Sequence, residues 1–119
     1  MERLQRKTSN MLYLVIIILT VSTLHESYAS WCTDQQPVTC LCFPQFNKIQ
    51  CTNQPGLTQI PTNIPTDTKL IVFSGNGITS IDTTSFSGLT FLVDINLSNN
   101  DISSIESGAF ADLPSLENV

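Results

Sequence analysis

TKLIVFSGNGI (68–78) and LVDINLSNNDI (92–102) are one phrase written twice. Sliding the chain so that Thr68 falls on Leu92 also lays Ile71 on Ile95, Phe73 on Leu97, Asn76 on Asn100 and Ile78 on Ile102. The match continues through Ile81 and Ile105, Phe86 and Phe110, Leu89 and Leu113, and Leu92 and Leu116, and Ile95 meets Val119. A fixed period of this length is the mark of stacked supersecondary units.

Each unit starts with apolar residues at alternate positions, the pattern of a short half-buried strand. An asparagine and a turn follow, then an irregular return carrying a phenylalanine and a leucine. One such unit cannot bury its own apolar edge. Stacking buries it, pairing the strands into a parallel sheet and placing Phe86 and Phe110 together on the opposite side. Asn76 and Asn100 read as scaffold, because a side-chain amide where the chain leaves the strand satisfies turn backbone groups that would otherwise stay unpaired. Gly75 and Gly77 suit the same turn.

Toward the N-terminus the character changes. Arg3, Arg6 and Lys7, the apolar run Met11 to Val21 and the small-residue site Ser27-Tyr28-Ala29 are the zones of a secretory leader spanning 1–29. A run from Met11 to Val21 falls short of the ~20 residues a membrane-spanning helix needs. Without the leader only Lys48 and Lys69 oppose eight carboxylates, a net charge of −6. Nucleic acid is excluded as a partner on that ground.

Cys32, Cys40, Cys42 and Cys51 crowd into one short stretch of a secreted chain, so disulfides are expected over a zinc site, and spacing alone permits three connectivities. The segment around them, 30–66, has little periodicity and suits a cap that hides the apolar end of a stack. Its tail, Leu57 to Pro65, already carries the later rhythm. The expected division is then a cap over 30–66, one repeat over 67–91, a second over 92–115 and the start of a third at 116–119.

The arrangement C-x7-C-x-C-x8-C, then L-x-x-I-P-x-x-I-P, then two units of the form L-x-x-L-x-L-x-x-N-x-L resembles the N-terminal cap and first repeats of extracellular leucine-rich-repeat proteins. That group includes Slit, the small leucine-rich proteoglycans, Toll-like receptor ectodomains and the variable lymphocyte receptors of jawless vertebrates. The resemblance implies an α/β-type solenoid with a concave parallel sheet, irregular or 3-10 returns on the convex side, and bridges joining Cys32 to Cys42 and Cys40 to Cys51. Two departures stand out: a seven-residue first gap between cysteines, and Thr68 where the pattern prefers leucine.

Function is then expected to be binding. The side chains lying between the buried ones are Lys69, Leu70, Val72, Ser74 and Gly75 on the first strand and Val93, Asp94, Asn96, Ser98 and Asn99 on the second, and these are what a protein or glycan ligand would meet. Two to three strands offer roughly 200 to 250 Å², against ~800 Å² per partner in a stable interface. Asn96-Leu97-Ser98 is a glycosylation sequon, but a glycan there would obstruct the same face, so partial or no occupancy is expected. Catalysis is disfavoured, since the chain past the leader has no histidine or arginine and its cysteines are committed to bridges, so neither a usual nucleophile–base pair nor a metal or cofactor site is foreseen. Asp94 and Asp101 remain as the only carboxylates considered for acid–base work.

The reading is therefore a secreted or cell-surface module, with no membrane-spanning segment of its own. Because the sequence stops at Val119, four residues into a third repeat and without a C-terminal cysteine cap, the expectation is the first part of a longer receptor or adhesion ectodomain. The alternatives are a matrix protein of the proteoglycan type, whose repeats pair with like chains as homodimers, and a short soluble decoy.

Overall fold

A computed structural model describes residues 30–34 and 39–119; the leader expected over 1–29 lies outside them. The architecture is a short stack of coils, in which each coil contributes one rung to a four-stranded sheet. Strands β1 (Leu41–Phe43), β2 (Lys48–Gln50), β3 (Leu70–Val72) and β5 (Asp94–Asn96) lie in that order. The β1–β2 pair is antiparallel and the remaining pairs are parallel.

Burial follows the pleat. Ile49, Ile71 and Ile95, at the centres of β2, β3 and β5, face inward and are fully or almost fully buried, stacked in register with one another. Cys51, Phe73 and the partly buried Leu97 form a second row just beyond. On the far side of the core Phe86 and Phe110 stack with centroids 5.6 Å apart and planes 19° apart, a geometry that adds to the plain burial of two large rings. Thr68 is completely buried in the place the repeat gives to leucine.

The cap supplies a rung of its own. Lys48–Gln50 falls in the segment expected to lack periodicity, yet β2 pairs with β3, Ile49 opposite Ile71. The step from Ile49 to Ile71 is two residues shorter than the step from Ile71 to Ile95 that joins β3 to β5. Between β1 and β2 a single 3-10 turn, η1 (Pro44–Phe46), ends at Asn47, whose left-handed backbone (φ 49) returns its N–H to Pro44 O. Two disulfides staple this hairpin, Cys32–Cys42 and Cys40–Cys51, with Cα atoms 6.2 and 4.4 Å apart. Trp31 is buried, and its indole N–H donates to Thr62 O at 2.9 Å. The bridges and this bond hold a segment too small to be secured by apolar burial alone.

The returns are irregular over most of their length, as expected, with one ordered element in each. Ser80–Ile81 (β4) and Ser104–Ile105 (β6) pair as a second, two-stranded parallel sheet, and among the described residues the only 3-10 turn is η1 in the cap. The cause is register: returns of equal length bring Ser103 N–H to Thr79 O and Glu106 N–H to Ile81 O, at 2.9 and 2.8 Å. Asp82 then turns the chain. Its Oδ1 accepts the Thr84 hydroxyl, the Thr84 N–H and the Ser85 hydroxyl, and the Ser85 oxygen accepts the Asp82 N–H. The Thr84 hydroxyl is the largest cause of a pKa held below the ordinary 3.8.

The asparagines join one coil to the previous one. Asn76 Oδ1 accepts Gln54 N–H at 2.8 Å and its Nδ2 donates to Cys51 O at 2.7 Å. Asn100 repeats the device one coil later, accepting Ile78 N–H and donating to Phe73 O and Leu97 O. In the cap Gln54 holds the corresponding place, its amide bonding Thr52 O and Thr39 N–H.

Replacing Asn76 by leucine leaves a buried N–H and a buried carbonyl unpaired, each costing about 1–3 kcal/mol. Urea denaturation of the oxidised chain should show Asn76→Leu destabilised by at least about 2 kcal/mol, with the half-exposed Asn100 less sensitive. For Asp82 the depressed pKa sets the sign: its stabilisation is present above the ordinary value and is lost as pH falls through and below 3.8. The denaturation midpoint of the native chain should therefore fall more steeply in that acid range than that of Asp82→Asn.

Candidate binding face

With the isoleucines turned inward, alternation sends their neighbours to the other side of the sheet. Registers place these outward side chains in two rows across the strands: Phe43, Lys48, Leu70, Asp94, and Leu41, Gln50, Val72, Asn96. Lys69 and Val93 stand just before their strands and Ser74 and Ser98 just after them, so nearly all the side chains expected at the face border this one surface. Half of each row comes from the cap, and Leu41, Phe43, Lys48 and Gln50 lie beyond the face that the repeats alone predict. The signal was present: KIQCTNQ (48–54) aligns on LIVFSGN (70–76) once the step is shortened by two.

The face alternates apolar and polar across its strands. Leu41 is 55% exposed and Phe43 half-exposed on the edge strand β1, Lys48 and Gln50 follow on β2, and Leu70 and Val72 are half-exposed on β3. Lys48 lies over the Phe43 ring with its Nζ 5.4 Å from the centroid, close enough for a cation–π attraction that fixes the ring and the charge together. Lys69 adjoins Leu70, so both lysines of the described chain belong to a surface whose acidic member is Asp94.

Two expected contact positions have another explanation. Asn99 takes a left-handed backbone (φ 56), as do Asn53 (φ 55) and Gly75 (φ 71) at the same place in the preceding coils; the turn selects these residues. A Cβ on Gly75 would collide with Asn53 Oδ1, so Gly75 marks a close approach of two turns. Asn96 and Ser98 are engaged with each other, Asn96 Oδ1 accepting both the N–H and the hydroxyl of Ser98 at 3.0 and 2.7 Å. Asn96 itself is exposed.

All four cysteines are in bridges, and among the described residues no group of three histidine, cysteine or acidic side chains is placed to hold a metal. Among the same residues no helix is long and apolar enough to cross a membrane. Asp94 and Asp101, the two carboxylates considered for acid–base work, belong to different parts of the coil, one on β5 and one in the turn after Asn100.

Comparison with known proteins agrees with this architecture. Residues 68–119 match the family model described as leucine rich repeat. The chain is 34% identical over 94 residues to a leucine-rich repeat and immunoglobulin-like domain-containing nogo receptor-interacting protein 1 of Xenopus tropicalis, covering 79% of this chain and 15% of that protein. It is 39% identical over 59 residues to decorin of Oryctolagus cuniculus, covering 50% of this chain and 16% of decorin. The crystal structure of human trophoblast glycoprotein superposes with a TM-score of 0.62 at 31% identity, over 71% of this chain and 31% of that one. The chain is thus a leucine-rich-repeat protein with a disulfide-bonded N-terminal cap, of the secreted or cell-surface kind, where an oxidising environment maintains such bridges. It spans less than a third of the length of each of these three proteins.

Proposed function

We propose that the chain is a protein-binding module that engages its partner through the outward face of the four-stranded sheet. The observation that supports this is two outward apolar pairs, Leu41 and Phe43 on β1 and Leu70 and Val72 on β3, which flank Lys48 and Gln50 on β2. Apolar anchors with a charged rim are how protein interfaces concentrate their energy. The described strands span on the order of 200 Å², well below the ~800 Å² per partner of a stable interface. This segment therefore acts as the first part of a larger contact surface, in a receptor or adhesion ectodomain divided as the sequence suggests, with the cap over 30–66 and repeats from 67.

The likeness to decorin favours a second reading, a matrix component whose repeats pair with like chains. In both readings the work is recognition, without catalysis or cofactor. Screening the secreted chain against a library of displayed extracellular domains should identify a partner whose affinity falls at least ten-fold in Leu70→Asp and in Val72→Asp, with Asp112→Lys on the opposite side unchanged. A partner indifferent to both sheet substitutions overturns this assignment, and concentration-dependent self-association abolished by the same two substitutions selects the matrix reading.

We further propose that Asn96 stays unglycosylated or only partly glycosylated, since a glycan there would stand on the contact face. Enzymatic deglycosylation should shift at most a fraction of the secreted protein in mass, and none of the Asn96→Gln variant.

A further inference from the structure

The returns of successive coils are not equally joined. Between the first and second repeats β4 pairs with β6, Thr83 N–H donates to Glu106 Oε2 at 3.1 Å, and Phe86 stacks on Phe110. Between the cap's return and that of the first repeat only the opening is tied, Gly77 N–H to Leu57 O and Thr79 N–H to Thr58 O, at 3.1 and 3.2 Å. Past those bonds no backbone hydrogen bond joins 59–66 to 80–89, all of them described residues.

Three features of the sequence open the gap. Pro61 and Pro65 have no N–H to offer. The cap's step is two residues shorter than the repeat's, so the returns fall out of phase. Ile64 stands, at that shortened step, where Phe86 and Phe110 stand in the next two coils, so no aromatic pair joins these two returns. The result is a groove of about 460 Å³, within the ~300–1,000 Å³ of ligand sites, and none of its lining residues belongs to the four-stranded sheet.

The lining sets the chemistry. Pro61 is half-exposed and supplies apolar contact together with the edges of Ile60 and Ile64, while Leu89 lies beneath them, 2% exposed. Around them the side chains of Gln59, Thr62, Asn63, Thr66, Ser80 and Ser87 line the groove, and none of them hydrogen-bonds to the described protein. Asp82 is the single charged group. Its Oδ1 is occupied by Thr84 and Ser85, and Oδ2 makes no bond with either. A lining with one carboxylate and no cation disfavours phosphate, sulfate and sialate groups. Hydroxyls and amides that donate and accept, beside an apolar floor, complement a molecule with C–H on one face and hydroxyls at its edge.

We propose that this groove binds a neutral hexopyranose, Pro61 and the edges of Ile60 and Ile64 receiving its C–H face and Asp82 Oδ2 accepting from its hydroxyls. The site is separate from the sheet face and does not depend on the function assigned there.

The test is a nitrogen-15 NMR titration of the secreted chain with methyl glucoside, galactoside and mannoside, each to tens of millimolar. The expected result is saturable shifts for at least one sugar, confined to amides of 59–66 and 80–89. Ile64→Phe, which restores the residue found at Phe86 and Phe110, should keep the dispersed spectrum and abolish the shifts. Asp82→Asn should weaken binding several-fold. Repeating the titration with a neutral high-mannose glycopeptide distinguishes the source: at least ten-fold tighter binding means a glycan on a partner, and equal affinity means free sugar. No saturable shift with any of these probes overturns the proposal, as do shifts centred on Leu41, Leu70 and Val72 or shifts that persist unchanged in Ile64→Phe.

Discussion

A coil that leaves a β-strand in a tight turn strands its own polar backbone, and in this chain the shortfall of one coil is met by the next. Asn76 reaches back to Cys51 O and Gln54 N–H, and Asn100 reaches back to Phe73 O and Ile78 N–H. These bonds hold the turns at a constant rise, and that rise lets Ile49, Ile71 and Ile95 meet in a single buried row. The left-handed residues Asn53, Gly75 and Asn99 serve the same turn one position earlier. Packing and polar satisfaction thus support each other: the amide ladder holds the spacing at which the isoleucines stack, and the stacked row shields the bond from Asn76 to Cys51 O from water.

Much of this was legible because it repeats. The period that carries Ile71 onto Ile95 exposes the inward residues, the asparagine positions and the paired phenylalanines directly. What escaped the reading broke the period. The cap's strand Lys48–Gln50 takes a step two residues shorter, with Cys51 in an apolar position and Gln54 in an asparagine position, so its likeness to the later rungs appears only once the step is shortened. The β4–β6 pair was hidden for another reason: two-residue strands have no pattern of their own, and they exist because neighbouring returns are equal in length. The candidate face was half legible, since Leu70, Val72, Asp94 and Asn96 follow from alternation, whereas Leu41, Phe43, Lys48 and Gln50 join them only through the hairpin's register.

The departures from periodicity also gather the surface features of this chain that stacking does not explain. Where the repeat is regular, the side chains are answerable mainly to stacking, as Asn99 and Gly75 show. Where the cap meets the first repeat, the mismatch in step and the exchange of phenylalanine for Ile64 free a set of side chains from structural duty. Both the cap's half of the sheet face and the polar groove across the core lie at this junction.

The antiparallel strand β1 gives the stack a direction. Parallel rungs can follow one another without limit, and a sheet made only of them presents the same invitation at either end. Here Leu41–Phe43 runs against the grain, is only three residues long and is fastened through Cys42 to Cys32, and a short, pinned edge is a poor template for another strand. The array is therefore a ray with an origin, and its rungs advance past β5, where Asn118 already bridges to Asp94.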